Sequence, residues 1–173
     1  MYDLMIIGSG PAGISAALTA KARNLNFIWF GSRALSTKIE KAEKIMNYPG
    51  LPAVTGSEMQ SVFLKQIDDC GITITESQVN SIYDCGGYFA AGADNEIYEA
   101  KAVIMTVGMT TTREIEGEAR LLGCGVSYCA TCDAALYKER EVIVIGFNEE
   151  ALSEAEFLAQ TAKKVYYMPL YNK

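Results

Sequence analysis

Apolar and polar positions change period several times along this chain, and the changes mark out its elements. Leu4-Met5-Ile6-Ile7 is an apolar run too short for a helix, and it stops at Gly8. Small, helix-tolerant residues fill 14–22, and Phe27-Ile28-Trp29-Phe30 is the next run of buried character. Strand, glycine turn, helix and strand in that order predict the βαβ opening of a parallel sheet. Over 57–70, Met59, Val62, Phe63, Ile67 and Cys70 recur close to the helical period. Residues 79–99 read as short antiparallel strands, with Gly86-Gly87 and Gly92-Ala93-Asp94-Asn95 supplying turns. Another apolar run, 102–107, closes at Gly108.

The charged stretch 113–120 is the candidate boundary, dividing the chain into 1–112 and 113–173. Past it a second βαβ signal begins. Val142-Ile143-Val144-Ile145 ends at Gly146, 149–162 is helix-compatible, and Val165-Tyr166-Tyr167-Met168 reads as a strand. A parallel sheet of two or three strands seldom stands alone, because both faces need cover. The second unit therefore reads as unfinished and the chain as truncated. The expected fold class is α/β. It comprises a Rossmann-like unit, built from a βαβ parallel sheet plus a small antiparallel β-meander, and the start of a second Rossmann-like unit.

Composition narrows the function. The net charge of −6 gives no electrostatic reason to expect a nucleic-acid partner. No apolar run approaches the ~20 residues that span a bilayer, so no membrane role is expected. Met1-Tyr2-Asp3 lacks the positive start of a signal peptide, which points to the cytoplasm, where paired cysteines are more often catalytic or metal-binding than structural. Five cysteines and no histidine exclude His-dependent triads and every His-containing zinc site.

Two motifs carry chemistry. Gly8-Ser9-Gly10-Pro11-Ala12-Gly13 fits G-x-G-x-x-G between a strand and a helix. Its glycines allow the tight turn, the approach of a pyrophosphate, and close helix–strand packing, with phosphates at the positive end of the helix dipole. An acidic residue after the second strand would bind an adenosine ribose, but Gly31-Ser32 stands there, so the motif names a dinucleotide site and not its ligand. The second motif is Cys129-Ala130-Thr131-Cys132-Asp133. Two cysteines at this spacing can close a small disulfide, a helix start lowers a thiol's pKa, and Asp133 is placed to exchange a proton. A zinc site would need Cys124 and a distant Cys70 or Cys85. Cys124, Cys129 and Cys132 also show the C-x4-C-x2-C spacing of plant-type ferredoxins, which needs a fourth cysteine that 133–173 lacks. No metal is expected, and Cys70 and Cys85 are assigned to packing.

Together these residues resemble the thioredoxin reductases, FAD-dependent members of the pyridine nucleotide-disulfide oxidoreductases. The glycine loop matches their FAD loop and Asn47-Tyr48-Pro49-Gly50 their Asn-aromatic-Pro-Gly segment. Gly125-Val126-Ser127-Tyr128 followed by the cysteine motif resembles their redox segment almost letter for letter. The resemblance implies that 1–112 is the N-terminal part of an FAD-binding domain and that 113–173 begins an NADPH-type domain carrying the redox pair. It implies FAD contacts at Gly8, Ser9, Gly10, Pro11, Ala12, Gly13, Gly31, Asn47 and Gly108. Cys132 would take electrons from the flavin, Cys129 would attack the disulfide of thioredoxin, and Asp133 would serve as acid and base. The family's Gly-Gly-Gln after the second strand is replaced by Ala34-Leu35-Ser36. A homodimer of the full-length protein is also implied.

The second loop departs from the family's G-x-G-x-x-A. Gly146-Phe147-Asn148-Glu149-Glu150-Ala151 puts Asn148 where backbone should approach a pyrophosphate, and sets two carboxylates at the helix start. Each unit-charge repulsion at 4 Å costs roughly 1 kcal/mol in bulk water and about 4 at a protein surface. No arginine follows the next strand. The pattern is similar to the ferredoxin-dependent flavin thioredoxin reductases, which lack a working NADPH site, and implies electron flow from ferredoxin through FAD to Cys129–Cys132 and thioredoxin. Lys38, Lys41 and Lys44 are candidates for a docking patch, or a solvated face. An NADPH-dependent thioredoxin reductase and a non-catalytic, redox-sensing flavin- or thiol-binding module are the alternatives.

Overall fold

The computed structural model describes residues 1–40, 42–108 and 115–171. It divides into two compact units, Met1–Ala42 with Thr55–Glu114, and Glu43–Val54 with Ile115–Lys173.

The first unit is a five-stranded sheet in the order β2 (Phe27–Phe30), β1 (Tyr2–Ile7), β5 (Glu96–Met105), β4 (Phe89–Ala93), β3 (Val79–Asp84). Strand β1 (Tyr2–Ile7) pairs parallel with β2 (Phe27–Phe30) on one side and with β5 (Glu96–Met105) on the other. Helix α1 (Pro11–Ala22) connects β1 to β2. Leu4 to Ile7 are all buried, as a strand covered on both faces requires. On one face Met5, Ile7, Ile28 and Phe30 join Ala91, Ala93 and Ala100 in a core cluster, with Tyr98 edge-on to Phe30 at 5.0 Å between ring centroids. The alternate residues Leu4, Ile6 and Trp29 are buried on the other face. Helix α1 packs against β1, β5 and helix α3 (Gly56–Asp69), and supplies the buried Ile14, Ala17 and Ala20.

Strands β3 (Val79–Asp84) and β4 (Phe89–Ala93) form the antiparallel part, but they continue the same sheet and are not a separate layer. The two runs read from the sequence as 79–99 and 102–107 meet in one ten-residue strand, β5. Its first half pairs antiparallel with β4 and its second half parallel with β1, and Ala100 faces both Phe89 and Tyr2. A fully buried Ala100 at this crossing leaves room for both neighbours. Gly92 and Ala93, read as part of a turn, lie within β4, and the hairpin turns on Asp94-Asn95 alone.

Helix α3 starts on a reciprocal cap. The Thr55 hydroxyl accepts from the Glu58 amide at 3.2 Å, while the Glu58 carboxylate accepts from the Thr55 amide at 2.8 Å. Beyond α3 the chain adds a short bridge at the free edge of β2, where the Thr75 amide donates to Trp29 O at 2.7 Å and Gly31 N donates to Thr75 O at 3.1 Å. A single-turn helix, α2 (Thr37–Glu40), precedes α3.

In the second unit β6 (Glu141–Gly146) and β7 (Lys164–Pro169) pair parallel, joined by α6 (Glu150–Leu158). Short helices α4 (Glu118–Leu121) and α5 (Ala130–Asp133) come before them, and a 3-10 turn, Ala134–Tyr137, follows α5. Segment Glu43–Val54 belongs to this unit, although it lies well before the charged stretch 113–120, of which 113 and 114 fall outside the described residues. Among the described residues no helix is long and apolar enough to cross a membrane.

Burial and capping differ in expected weight. In the full-length protein, Phe30→Ala should cost about 3–5 kcal/mol by emptying the core beside Tyr98, and Thr55→Ala about 1 kcal/mol by removing the cap. Urea denaturation of both variants checks the ranking.

Candidate functional site

The glycine loop is fixed by the strands on either side. Gly8 N donates to Phe30 O at 2.8 Å, and Gly8 O accepts from the Trp29 indole at 2.9 Å and from the Thr106 hydroxyl at 3.0 Å. Gly8 has φ +112°, and a Cβ there would lie 2.2 Å from Thr106 O, so both its conformation and its surroundings exclude a side chain. A Cβ on Gly13 would lie 2.0 Å from Gly8 O, which sets how near α1 comes to β1. Trp29 and Thr106 are the residues that sequence reasoning missed here. Their roles rest on partners some 20 and 100 positions away, at Gly8, and no local signal marks them.

Gly10 is different, since among the described residues nothing lies within 4 Å of the place its Cβ would take, and none of them demands a glycine there. Gly10 caps α1 without a side-chain hydrogen bond, Pro11 opens the helix, and its first turn holds no acidic residue. The positive end of this twelve-residue helix thus has no side-chain acceptor at its cap, an arrangement that would fit a pyrophosphate.

Ser9 and Gly31 meet for a reason internal to the fold. The buried Ser9 hydroxyl donates to Leu35 O at 3.1 Å and accepts from Ser32 N at 2.9 Å, tying down the loop in which Ala34-Leu35-Ser36 replaces the family's glycines. A Cβ on Gly31 would lie 2.5 Å from Ser9 Cβ, so the small residue makes room for the serine. Gly108 follows β5 with φ +69° and is exposed. Asn47 is exposed in the second unit, on a loop closed by the Ile45–Val54 bridge, with Ile45 N donating to Val54 O at 2.7 Å.

Cys129, Cys132 and Asp133 are brought together by α5. Cys129 and Cys132 form a disulfide with their Cα atoms 5.3 Å apart. Cys129 stands at the helix start, where its Sγ accepts from Cys132 N at 3.2 Å and its carbonyl from Asp133 N at 3.2 Å. Cys132 is the more exposed of the pair. Ser127 joins them. Its hydroxyl lies 2.5 Å from Asp133 Oδ2 and 3.3 Å from Cys129 O, and it accepts from Cys129 N at 3.0 Å. Burial first, and then the charge of Asp133, raise the pKa of Tyr137.

A buried carboxylate anchors the strand of chain before the pair. Glu118 accepts from the Tyr128 hydroxyl and from Ile115 N at 2.8 Å. The Tyr128 hydrogen bond, followed by that of the Ile115 amide, holds the Glu118 carboxyl below its usual range. Cys124 has its own partner, donating to Glu43 Oε1 at 3.2 Å. That hydrogen bond and the Glu43 charge push its thiol pKa up, away from the thiolate a metal would need. Among the described residues no three Cys, Asp or Glu gather as a metal site.

In the second glycine loop Asn148 Oδ1 accepts from Ala151 N at 3.2 Å, so a helix-start amide of α6 already has an acceptor. Tyr167 lies over the same loop. A Cβ on Gly146 would lie 3.0 Å from its hydroxyl, which also pairs with Tyr171 at 2.9 Å. That pair, with burial and the nearby Glu149, raises the Tyr167 pKa to about 12. Of the lysines considered for a docking patch, Lys44 is exposed and Lys41 lies outside the described residues.

One chain thus carries a glycine loop at an open helix start and a Cys-x-x-Cys disulfide with a carboxylate beside it. The chain belongs to the pyridine nucleotide-disulphide oxidoreductase family, whose model matches residues 2–170. Members of this family are flavoproteins, and FAD is the cofactor that membership implies. The chain is 32% identical over 166 residues to the thioredoxin reductase of Bacillus subtilis, covering 95% of itself and 52% of that protein. A ferredoxin-flavin thioredoxin reductase from Clostridium acetobutylicum is 48% identical, with a TM-score of 0.62, over 99% of this chain and 60% of the other. The thioredoxin reductase of Streptococcus pyogenes is 34% identical, with a TM-score of 0.81, over 96% and 55% of the respective chains. The chain thus spans about half the length of the curated relatives it matches.

Because the folded Glu118 pKa is lowered below the ordinary 4.5, its contribution to stability is complete above that value and is lost as pH falls through the lowered one. In the full-length protein the Tm deficit of Glu118→Gln should therefore be widest near about pH 7 and shrink toward about pH 3. Thermal melts across that range check the sign.

Proposed function

We propose that the intact protein is a flavoprotein disulfide reductase that passes electrons through Cys129–Cys132 to thioredoxin, with reduced ferredoxin as the donor. The observation that carries this reading is the disulfide at the start of α5, with Asp133 held beside it through Ser127. In the dithiol form the Cys129 thiolate attacks one sulfur of the substrate disulfide. The departing substrate sulfur takes a proton from Asp133, and a mixed disulfide remains. The Asp133 carboxylate takes the proton of the Cys132 thiol, the Cys132 thiolate attacks Cys129 Sγ and re-forms the observed bond, and the second departing substrate sulfur takes that proton from Asp133, so that the substrate leaves as a dithiol. The substrate gains the two electrons that the cysteine pair loses. Bound FAD would supply the electron pair that restores the dithiol. The residues assigned to hold it are the α1 amides opened by Gly10, the loop from Gly8 to Gly13, Gly31, Gly108 and Asn47.

The choice of donor rests on the second loop. Asn148 accepts from an amide that a pyrophosphate would use, Glu149 and Glu150 repel phosphate, and Tyr167 packs over Gly146. The likeness to the Clostridium acetobutylicum structure supports the same reading. In this reading the N-terminal unit is the first part of an FAD-binding domain, and the second unit is a former NADPH-type domain retained as the carrier of the cysteine pair.

An anaerobic spectrum of the full-length, flavin-loaded protein tests the donor. NADPH should leave the flavin oxidised, and reduced ferredoxin should bleach it. Bleaching by NADPH within turnover time would make this an NADPH-dependent thioredoxin reductase. Cys132→Ser should abolish turnover while thioredoxin still forms a mixed disulfide with Cys129. Turnover unchanged in that variant would remove the cysteine pair from the reaction.

A further inference from the structure

Among the described residues, Ser127 hydrogen-bonds both to the backbone of the cysteine pair and to Asp133, and the reaction as written gives it no part in the proton transfer. Its hydroxyl carries a single proton and two candidate acceptors, Asp133 Oδ2 at 2.5 Å and Cys129 O at 3.3 Å, while its oxygen accepts from Cys129 N at 3.0 Å. The two acceptors are not equivalent. An ionised carboxylate makes the shorter and stronger bond, so with Asp133 ionised the proton points there. With Asp133 protonated the direction reverses. The carboxylic acid donates to Ser127 Oγ, and the Ser127 proton swings to the Cys129 carbonyl.

We propose that Ser127 is a positioning residue that holds Asp133 against the cysteine pair in both of its protonation states, by reversing the direction of their shared hydrogen bond. The inference rests on the assignment of Asp133 as the acid that protonates the departing sulfur. That step moves one proton from the carboxyl group to the leaving thiolate, giving a carboxylate and a thiol. Its geometry must survive the change of charge: a group that can only accept would have nothing to take from the carboxylate, and one that can only donate would keep only the weaker carbonyl acceptor of the protonated acid. Threonine keeps a hydroxyl at the same place, whereas alanine removes it and leaves Cys129 N without its acceptor.

The test uses the full-length flavoprotein, reduced and mixed with oxidised thioredoxin under steady-state and single-turnover conditions. Ser127→Ala, Ser127→Thr, Asp133→Asn and the double variant Ser127→Ala/Asp133→Asn are compared. Ser127→Ala should lower kcat about tenfold, the size expected for one hydrogen bond to a charged group, with KM for thioredoxin within about twofold of wild type. Ser127→Thr should recover most of that loss. The double variant should be no slower than Asp133→Asn alone, because a residue that acts only through Asp133 has nothing left to act on. A residue that merely shaped the loop would add its loss to that of Asp133→Asn. The proposal is overturned by full additivity, by equal losses with alanine and threonine, or by a Ser127→Ala enzyme as fast as wild type while Asp133→Asn is slow. If Asp133→Asn is itself as fast as wild type, the acid assignment fails, and this inference fails with it.

Discussion

In the first unit, the architecture depends on how near α1 comes to the ends of β1 and β5. A Cβ at Gly13 would lie 2.0 Å from Gly8 O, and one at Gly8 would lie 2.2 Å from Thr106 O. No side chain fits at either place, and the backbone carbonyl between them is already used by Trp29 and Thr106. The consequence reaches outward. With the loop clamped from inside, the helix's positive end is left without a side-chain acceptor at its cap.

Three helix starts in this chain are treated in three ways, and their differences follow chemistry. At α3 a Thr55–Glu58 cap closes the end. At α6 Asn148 accepts from Ala151 N, and Glu149 and Glu150 add negative charge where a dinucleotide phosphate would sit. At α1 glycine and proline leave the end open. Two βαβ units of one plan thus present opposite electrostatics to an anion, through a few residues and no change of topology.

The cysteine pair is held by polar contacts more than by packing. Glu118 holds the Tyr128 hydroxyl, and Ser127 holds Asp133 and the Cys129 amide. None of residues 129–133 is fully buried. Hydrogen bonds orient the disulfide in this half-open setting, with Cys129 half-buried and Cys132 exposed.

Much of this was legible in the residues. The strand at Phe27–Phe30 has the bounds its apolar run marks, and α1, α3, β6, α6 and β7 lie within a few residues of their patterns. Local period reports burial, and burial along one segment is what periodicity measures. The glycine loop and the cysteine spacing are local as well, since four to six consecutive residues carry their chemistry. What only the tertiary structure decided was pairing across distance: the joining of 96–105 into one strand with opposite neighbours on its two halves, and the grouping of Glu43–Val54 with the second unit. The same holds for Gly31 making room for Ser9 and for Ser127 and Glu118 beside the disulfide. A hydrogen bond between residues six or ten positions apart, or a Cβ clash between residues twenty-two apart, leaves no period in a sequence, because each depends on where the backbone brings the second partner.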